Sequence, residues 1–232
     1  MDAPRTEPAS PHFPLLRDRQ AAGAQLATAV ASYAKDRPVV LAIPPGGVPV
    51  AAEIAQRLGL ELNILVVQPI VAPGHEEIAL GAVAASGELA LNDEAIAGLG
   101  VSETFVQRAT AQSRAEAERR EHQLRGPLRP AFLRDRTVIL VDDGLAVATT
   151  IVAAVRAVRH HHPTKVVVAV PVCDPKACRI VEGVADAVIS LFQPSPFHHT
   201  ADHYQRFDLP TDAEITALLQ QHAQPKSSNP AG

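Results

Sequence analysis

The chain has 232 residues, of which 47% are hydrophobic and 20% are charged, and its formal net charge is −4. This is the composition of a globular protein, and the acidic balance argues against a standing nucleic-acid surface. It contains no run of about 18 apolar residues and no apolar signal-peptide core, so neither a membrane span nor secretion is expected. Its two cysteines, Cys173 and Cys178, fit no disulfide framework or zinc pattern, and we expect reduced thiols in a cytoplasmic protein.

The two ends of the chain differ in composition from the rest. Residues 1–12 and 223–232 are polar and rich in proline, and we predict that they are disordered tails around one domain over residues 13–222. The first part of that domain alternates between helical and strand-like patterns. The predicted elements are, in chain order, a helix over 18–35, a buried strand over 38–43, a turn at 44–47, a helix from 48 that ends near Gly59, and a strand from 62 that breaks at Pro69 and Pro73.

The middle of the chain, roughly residues 69–130, has a different character. "IALGAVAASGELALN" contains two alternating runs around "SGE", which predicts a β-hairpin. A long charged helix is predicted over 102–124, with Ser102 and Glu103 as candidate caps. We expect this region to form a small insertion, or hood, on the main domain.

Three further apolar strands follow, "RTVILV", "KVVVAVPV" and "DAVISLF", with helices predicted from about Thr150 and Asp174 between them. A last helix, "TDAEITALLQQH", is predicted to be capped by Thr211 or Asp212. Strands that are apolar on both faces and alternate with helices are typical of a parallel sheet covered on both sides. The predicted fold is therefore α/β, a three-layer, doubly wound and mainly parallel sheet with a small hood.

Ligands bind such sheets outside the carboxyl ends of the strands. Three segments interrupt the pattern at predicted strand ends, namely "PPGG" at 44–47, "QPIVAPG" at 68–74 and "DDGLAVATT" at 142–150. We expect the three segments to meet at one site.

Two adjacent acids, Asp142 and Asp143, follow the strand "RTVILV" directly. One of them could simply cap the following helix while the other is solvated. The predicted helix begins several residues later, however, which leaves both acids in a loop. There they can accept hydrogen bonds from a vicinal diol such as ribose, or help to hold a hydrated Mg²⁺. The glycine and small residues that follow allow the backbone to surround a phosphate at a helix N-terminus.

These motifs resemble those of the type I phosphoribosyltransferase family, and in particular a bacterial subgroup of phosphoribosyltransferase-like proteins. The matching segments are, in order, "FPLLRDRQAAGAQLA", "VVLAIPPGGVPVAAEIA", "APGHEEIALGAVA", "VILVDDGLA", "VVVAVPV" and "YQRFDLPTDAEI". The resemblance extends from about Phe13 to Leu219 and implies binding of phosphoribosyl pyrophosphate with Mg²⁺ as cofactor.

The resemblance also implies roles for individual residues. Asp142 and Asp143 would contact the ribose hydroxyls and are the candidate water-mediated Mg²⁺ ligands. The turn after the first strand would lie against the pyrophosphate, and it comprises Pro44, Pro45, Gly46 and Gly47. The loop after the two acids would hold the 5′-phosphate, and it comprises Gly144, Leu145, Ala146, Val147, Ala148, Thr149 and Thr150. No catalytic residue is assigned.

The chain departs from the family pattern at three phosphate-contacting places. Relatives usually have "PRGG" where this chain has Pro45, and an Arg-Lys pair where it has Gln68 and Pro69. Their loop usually reads Thr-Gly-Ala-Thr where this chain has Val147, Ala148, Thr149 and Thr150. A hydrogen bond to a charged group contributes roughly 1.5–3 kcal/mol, so these losses would weaken pyrophosphate binding most.

Two functional hypotheses remain open. The first is an enzyme that transfers a phosphoribosyl group to an acceptor that the sequence does not identify. The second is a non-catalytic relative that binds a nucleotide or ribose phosphate as a sensor or as a partner's subunit. A phospho-acceptor domain lacks assignable lysine and hydroxyl partners for Asp142 or Asp143. Related folds often dimerise, so a homodimer is expected by analogy alone.

Two further expectations concern charge. The arginines on or near the long helix could replace the lost cations, although a solvated face with local Glu–Arg pairs is the simpler interpretation; they are Arg108, Arg114, Arg119, Arg120 and Arg125. Because Asp142 and Asp143 are expected in an exposed loop, replacing both with Asn is expected to weaken ligand binding without unfolding the domain.

Overall fold

The computed structural model describes residues 15–222, so the predicted tails at 1–12 and 223–232 lie outside the described residues. The strands in this part of the chain are β1 (Val39–Ala42), β2 (Glu61–Ile64), β3 (Val67–Ala72), β4 (His75–Ala84), β5 (Leu89–Leu91), β6 (Thr137–Val141), β7 (Lys165–Val172) and β8 (Ala187–Phe192). The α-helices are α1 (Arg19–Ala29), α2 (Gly47–Leu58), α3 (Asp93–Gly98), α4 (Glu103–Arg125), α5 (Ala148–His160), α6 (Pro175–Glu182) and α7 (Asp212–His222).

A central sheet of five parallel strands has the order β2-β1-β6-β7-β8. Side chains alternate across this sheet, and both faces are buried. On one face Val40, Ile139 and Val167 pack under α1, α2 and α7. On the other face Leu41 and Leu140 pack under α5, α6 and the hood. The three-layer, doubly wound α/β fold is therefore confirmed. Because β1 and β6 are parallel neighbours, their carboxyl ends lie side by side.

The hood is an antiparallel sheet of three strands in the order β3-β4-β5, covered by α3 and α4. The predicted hairpin is formed by β4 and β5, and Gly87, with φ of 105°, occupies its turn. One face of this sheet buries Ile70, Leu80 and Val83 against α3 and α4. The opposite face packs on α5, where Ala82 and Ala90 join the core of the main domain. The hood is therefore built onto the main domain through α5.

Helix caps follow the local sequence. Asp18 caps α1 by accepting a hydrogen bond from the Ala21 N–H at 2.8 Å, and Ser102 caps α4 by accepting one from Phe105 at 3.3 Å. At α7 the cap is Thr211, whose Oγ1 accepts a hydrogen bond from the N–H of Glu214. The Glu214 carboxylate in turn accepts one from the Thr211 N–H at 2.7 Å, so the two residues form a capping box.

Four sequence predictions need correction. The strand predicted to break at Pro69 ends at Ile64, and Pro69 lies inside β3; a proline is accepted there because β3 is an edge strand. The predicted helix 18–35 divides at Val30 into α1 and a short 3₁₀ helix that tightens the turn into β1. Helix α3, capped by the Asn92 side chain, was not predicted. Helix α5 begins at Ala148 rather than at about Thr150.

Among the described residues no helix is both long and apolar enough to cross a bilayer.

Candidate functional site

The turn after β1 and the turn after β6 meet at the edge of the central sheet. The Ile43 N–H donates to the Val141 carbonyl oxygen at 2.9 Å, and this bond holds the two strand ends side by side. A Cβ atom added at Gly47 would lie 2.6 Å from that same carbonyl, and one added at Gly46 would lie 2.0 Å from Oδ2 of Asp143. Only a residue without a side chain fits at these two positions. The structure therefore brings the predicted turn 44–47 against the two predicted acids.

Asp143 is bound from one side by an arginine of α1. Nε of Arg19 donates to Oδ2 of Asp143 at 2.7 Å, and Nη2 of Arg19 lies 2.6 Å from the same oxygen. The Arg19 side chain is only 4% exposed, and that of Asp143 is 16% exposed. This is a buried ion pair, so Asp143 is not the solvated loop acid that the sequence predicts.

Asp142 has a different environment. Its Oδ1 accepts a hydrogen bond from the backbone N–H of Asp143 at 2.8 Å. Burial and the nearby Asp143 carboxylate raise the pKa of the Asp142 carboxyl well above its usual range, because both disfavour its charged form. The adjacent acids are therefore not equivalent: Asp143 is paired with a cation, and Asp142 is held where a proton or a ligand hydroxyl would be favoured.

The chain segment after β8 closes the back of this site. The Tyr204 hydroxyl donates to the backbone carbonyl of Asp143 at 2.7 Å, and burial raises the pKa of that hydroxyl. The guanidinium of Arg19 lies 3.8 Å above the ring of Phe207. Thr200 lies against Gly144, where an added Cβ would be 2.3 Å from its methyl carbon. The loop after β6 is therefore held from behind by Tyr204 and Thr200, and Phe207 packs on the arginine that binds Asp143.

The predicted phosphate loop leads directly into α5. Leu145 is buried, and its N–H donates to the Val172 carbonyl at 2.9 Å, so this residue anchors the loop rather than facing a ligand. Val147 occupies the N-cap of α5, makes no side-chain capping bond and is 53% exposed. The first N–H groups of α5 are therefore presented beside Thr149 and Thr150, which are half-buried.

A cleft of about 460 Å³ lies next to this loop, between the hood and helices α5 and α6. Residues 146–149 form one wall, and residues 90–94, from β5 into α3, form the opposite wall. Lys176 lines the side formed by α6. Clefts of this size accept small molecules, so there is space for a ligand group beside the helix N-terminus.

The candidate Mg²⁺ ligands fit the ion only in a water-mediated manner. The part of the chain that the structure describes contains no group of three or more His, Cys, Asp or Glu side chains suited to a metal ion. Two neighbouring carboxyls are present, and one of them is already paired with Arg19. Mg²⁺ in proteins usually keeps several waters and binds through one or two carboxylates and the phosphates of a substrate. Asp142 and Asp143 match that donor set together with a phosphorylated ligand.

The remaining predicted site residues, Gln68 and Pro69, belong to β3 and pair with Val83 and Ala82 of the hood, so this part of segment 68–74 is a strand. Strand β3 begins three residues after the central strand β2 ends at Ile64. The contribution of segment 68–74 to the site stays a prediction.

The arginines of α4 form ion pairs on the helix surface or connect the helix to neighbouring elements. Arg114 and Arg119 pair with glutamates of the same helix, as the solvated-face interpretation predicts. Arg120 binds Asp212 of α7, its two nitrogens lying 2.5 Å from the two carboxylate oxygens. Arg125 also pairs with a glutamate of the same helix, Glu121, but it is buried rather than solvated and donates to the Ile64 carbonyl at 3.0 Å.

The sequence analysis missed Arg19 and Tyr204 as site residues. Arg19 did carry an indication, because a cation in the first turn of a helix opposes the helix dipole and calls for another partner. That partner lies 124 positions further along the chain, which local patterns do not reveal. Tyr204 lies within the matched segment "YQRFDLPTDAEI", but no spacing rule connects it to Asp143.

Comparison with known proteins agrees with this architecture. A family model described as "Phosphoribosyl transferase domain" matches residues 16–192. A Mycobacterium tuberculosis (strain H37Rv) protein named "Putative phosphoribosyl transferase Rv0571c" is 35% identical over 205 residues, covering 88% of this chain and 46% of the relative. The chain thus spans about half the length of the curated relatives it matches. The crystal structure of TT1426 from Thermus thermophilus is 39% identical, with a TM-score of 0.76, and the match covers 90% of this chain and 99% of that one.

Proposed function

The chain belongs to the type I phosphoribosyltransferase family, and we propose that it binds the ribose-phosphate part of phosphoribosyl pyrophosphate and transfers it to an acceptor. One observation carries this proposal. Two acids at the end of β6, against the glycine turn of β1, lead within four residues to the N-terminus of α5, which no side chain caps. Acids that would bind a diol and a helix N-terminus that would bind an anion follow each other in the chain, and a ribose 5-phosphate requires these two groups together.

Each part of the ligand has a counterpart in this arrangement. The ribose hydroxyls would donate to carboxylate oxygens of Asp142 and Asp143. The 5′-phosphate would accept hydrogen bonds from the first N–H groups of α5 and from the hydroxyls of Thr149 and Thr150. The pyrophosphate would lie along the turn 44–47, which Gly46 and Gly47 allow to pack directly against Val141 and Asp143.

The reaction would break the bond between C1 of the ribose and the pyrophosphate oxygen, and the electron pair would leave with the pyrophosphate. C1 would pass through an oxocarbenium-like state and form its new bond to the acceptor nucleophile. The chain's own residues would hold the ribose, through Asp142 and Asp143, so that C1 is exposed to the acceptor. Bound Mg²⁺, held through water by these two acids, would supply neutralisation of the charge on the leaving pyrophosphate.

A second candidate function is binding of a ribose phosphate or nucleotide without transfer, as a sensor or a partner's subunit. A specific observation favours it: Pro45 gives the turn 44–47 no cation, and the arginine beside the turn, Arg19, is buried and paired with Asp143. A ligand with a single phosphate requires fewer cations than phosphoribosyl pyrophosphate does. The same ribose and 5′-phosphate contacts would serve both functions.

A thermal-shift and calorimetric comparison tests the two candidates. The ligands are phosphoribosyl pyrophosphate, ribose 5-phosphate and nucleoside monophosphates, each with Mg²⁺, because a ligand that binds only the folded state raises the melting temperature. The test variant is Thr149→Val with Thr150→Val, and the matched control is Thr104→Val in the first turn of α4. A shift with phosphoribosyl pyrophosphate that the test variant loses and the control keeps would mean that the donor of the transfer reaction binds, as the first candidate requires. A shift with monophosphates alone supports the second candidate, and no shift with any ligand contradicts both.

A further inference from the structure

We propose that Arg19 is a positioning residue of the ribose site, which orients the Asp143 carboxylate and neutralises its charge so that a phosphorylated sugar can bind beside it. The inference rests on the proposed function, since it assigns Asp143 to the ribose. It concerns a residue on α1 that lies in the matched segment "FPLLRDRQAAGAQLA" but outside the turn and the loop to which the resemblance gives ligand roles.

The contacts of Arg19 fix the guanidinium along three directions. Nε and Nη2 both approach Oδ2 of Asp143, at 2.7 and 2.6 Å. Nη1 donates to the backbone carbonyl of Asp208 at 2.7 Å. The guanidinium carbon lies over the ring of Phe207, 3.8 Å from the ring centroid. A planar group held at its edge and on its face has little freedom to rotate, so the carboxylate bound to it is held as well.

The geometry of this pair is one-sided. Both Arg19 contacts fall on Oδ2, the oxygen that also faces Gly46, and they leave Oδ1 of Asp143 for other partners. The main chain of Asp143 is fixed independently, because Tyr204 donates to its carbonyl oxygen at 2.7 Å. With the backbone and one carboxylate oxygen both held, Oδ1 can take only a narrow range of positions. A hydroxyl acceptor with a fixed position is what selective recognition of a ribose requires.

Stability alone does not account for an arginine at this position. A buried ion pair is weak evidence for stability, because apolar residues of similar volume often serve a core equally well. Charge provides a further reason. A carboxylate without a cation would repel the phosphate bound nearby. This repulsion is strong where water is excluded. The Arg19 cation offsets that repulsion without itself being exposed to the ligand, since its side chain is only 4% exposed.

The test uses the full chain and two probes, ribose 5-phosphate and inorganic phosphate, measured by titration calorimetry. The variants are Arg19→Gln and Arg19→Lys, and the control is Arg17→Gln, which changes an arginine two residues away whose side chain is 64% exposed. Lysine keeps the buried positive charge, so this variant is expected to fold, but its ammonium cannot reproduce the planar arrangement in which Nε donates to Asp143 while Nη1 donates to Asp208. Arg19→Lys therefore keeps the test informative if Arg19→Gln fails to fold.

We expect both Arg19 variants to weaken ribose 5-phosphate binding by about tenfold or more, while the affinity for inorganic phosphate falls less than about threefold with lysine. Arg17→Gln is expected to bind both probes as the wild type does. Equal ribose 5-phosphate affinity in wild type and Arg19→Lys would overturn the positioning role. An equal loss of affinity for ribose 5-phosphate and for inorganic phosphate in Arg19→Lys would overturn it as well. A wild-type protein that does not bind ribose 5-phosphate would instead overturn the proposed function, and this inference with it.

Discussion

The Asp142 carboxylate accepts a hydrogen bond from the backbone N–H of Asp143, and burial beside the Asp143 carboxylate still raises the pKa of Asp142 well above its usual range. A raised pKa in the folded state means that ionisation of Asp142 destabilises the fold. Asp142→Asn should therefore increase stability at pH 7 and reduce ribose 5-phosphate binding. Each kcal/mol gained would appear as a rise of about 2–4 °C in the melting temperature.

The pH dependence of this effect has a definite sign. Below the unfolded pKa of about 3.9, Asp142 is protonated in both states, so the variant should gain nothing there. The gain should grow as the pH rises from that value toward the raised folded pKa, because over this interval the unfolded wild type loses the proton that the folded wild type keeps, and the Asn variant has no such proton to lose. Melting curves between about pH 3.5 and 8 would show this, with the exposed Asp36→Asn as control. A variant that loses stability at pH 7 would contradict the assignment.

Asp143→Asn should have the opposite effect on stability. It removes the partner of Arg19, whose side chain is 4% exposed, and so leaves a buried cation without its counter-charge. Breaking a buried pair in this way typically costs about 3–5 kcal/mol. Urea denaturation should show this loss for Asp143→Asn and not for Asp142→Asn. The expectation that both acids can be replaced without harm to the fold is therefore revised, because only one of them is a partner in a buried ion pair.

A loss below about 1 kcal/mol in Asp143→Asn would mean that Arg19 finds another partner in the variant. The double variant Asp143→Asn with Arg19→Gln provides the control for this measurement, since it removes both charges. Its stability should exceed that of Asp143→Asn alone, because no unpaired buried charge remains.

Gly46→Ala tests the close contact between the two turns. The backbone at Gly46 has φ of −68°, which alanine adopts freely, so any effect must come from the added methyl group. That methyl would lie 2.0 Å from Oδ2 of Asp143 and must displace the carboxylate from Arg19. We expect a loss of about 1–3 kcal/mol in urea denaturation, as for overpacking in a core, together with weaker ribose 5-phosphate binding.

The control for this substitution is Gly98→Ala at the end of α3, where an added Cβ meets nothing within 4 Å. It should leave stability unchanged or raise it by up to about 1 kcal/mol. Equal stability of Gly46→Ala and Gly98→Ala would show that the turn 44–47 moves freely relative to Asp143.

Local patterns in the sequence identified most of the main domain. Strands such as β6 and β7 are apolar on both faces, and caps such as Ser102 lie immediately before amphipathic runs. Pro69 misled the prediction because proline was taken as the end of a strand. Whether a strand lies at an edge, where proline is accepted, depends on sheet order, and sheet order is a long-range property.

The sequence predicted which motifs form the candidate site, but not the charged and buried environment of Asp143. The adjacent acids, the glycine turn and the small-residue loop are contiguous motifs, and parallel strands bring their ends together. The environment of Asp143 was missed because it depends on Arg19, Tyr204 and Phe207, which come from α1 and from the segment after β8. No periodicity connects residues so far apart, and thus the sequence suggested solvated acids where the structure has a buried pair.

Asp18 provides a test of the helix that carries Arg19. The hydrogen bond from the Ala21 N–H, assisted by Arg206 and Arg17, lowers the pKa of Asp18. Asp18→Ala should cost about 1 kcal/mol at pH 7, as for loss of an N-cap. Because the folded pKa is depressed, this contribution is complete above the unfolded pKa and disappears as the pH falls through the folded one.

Urea denaturation at pH 7 and below about pH 3 would measure this difference. Ser102→Ala is the matched control, since Ser102 caps α4 through a hydroxyl that does not titrate in this range. Its cost should therefore persist at low pH, whereas the cost of Asp18→Ala should shrink. Parallel behaviour of the two variants would show that the Asp18 charge contributes nothing to the cap.

The last prediction restores the residues in which the chain departs from its family. Pro45→Arg places a cation in the turn 44–47 and should improve binding of phosphoribosyl pyrophosphate by about tenfold or more, the effect of one charged hydrogen bond. Ribose 5-phosphate has no pyrophosphate, so its affinity should change little. Val147→Thr with Ala148→Gly alters only the 5′-phosphate loop and should improve both ligands equally. Gln68→Arg with Pro69→Lys should add less, since β3 lies in the hood.

Calorimetry of the two ligands against each variant separates these effects, and Gln107→Arg on the exposed face of α4 controls for added charge. If Pro45→Arg improves both ligands, the turn 44–47 does not face the pyrophosphate, and the order of ribose and phosphate sites along the sheet edge must be reversed. If no restored variant gains affinity for phosphoribosyl pyrophosphate while all keep their fold, these departures are not what limits the site.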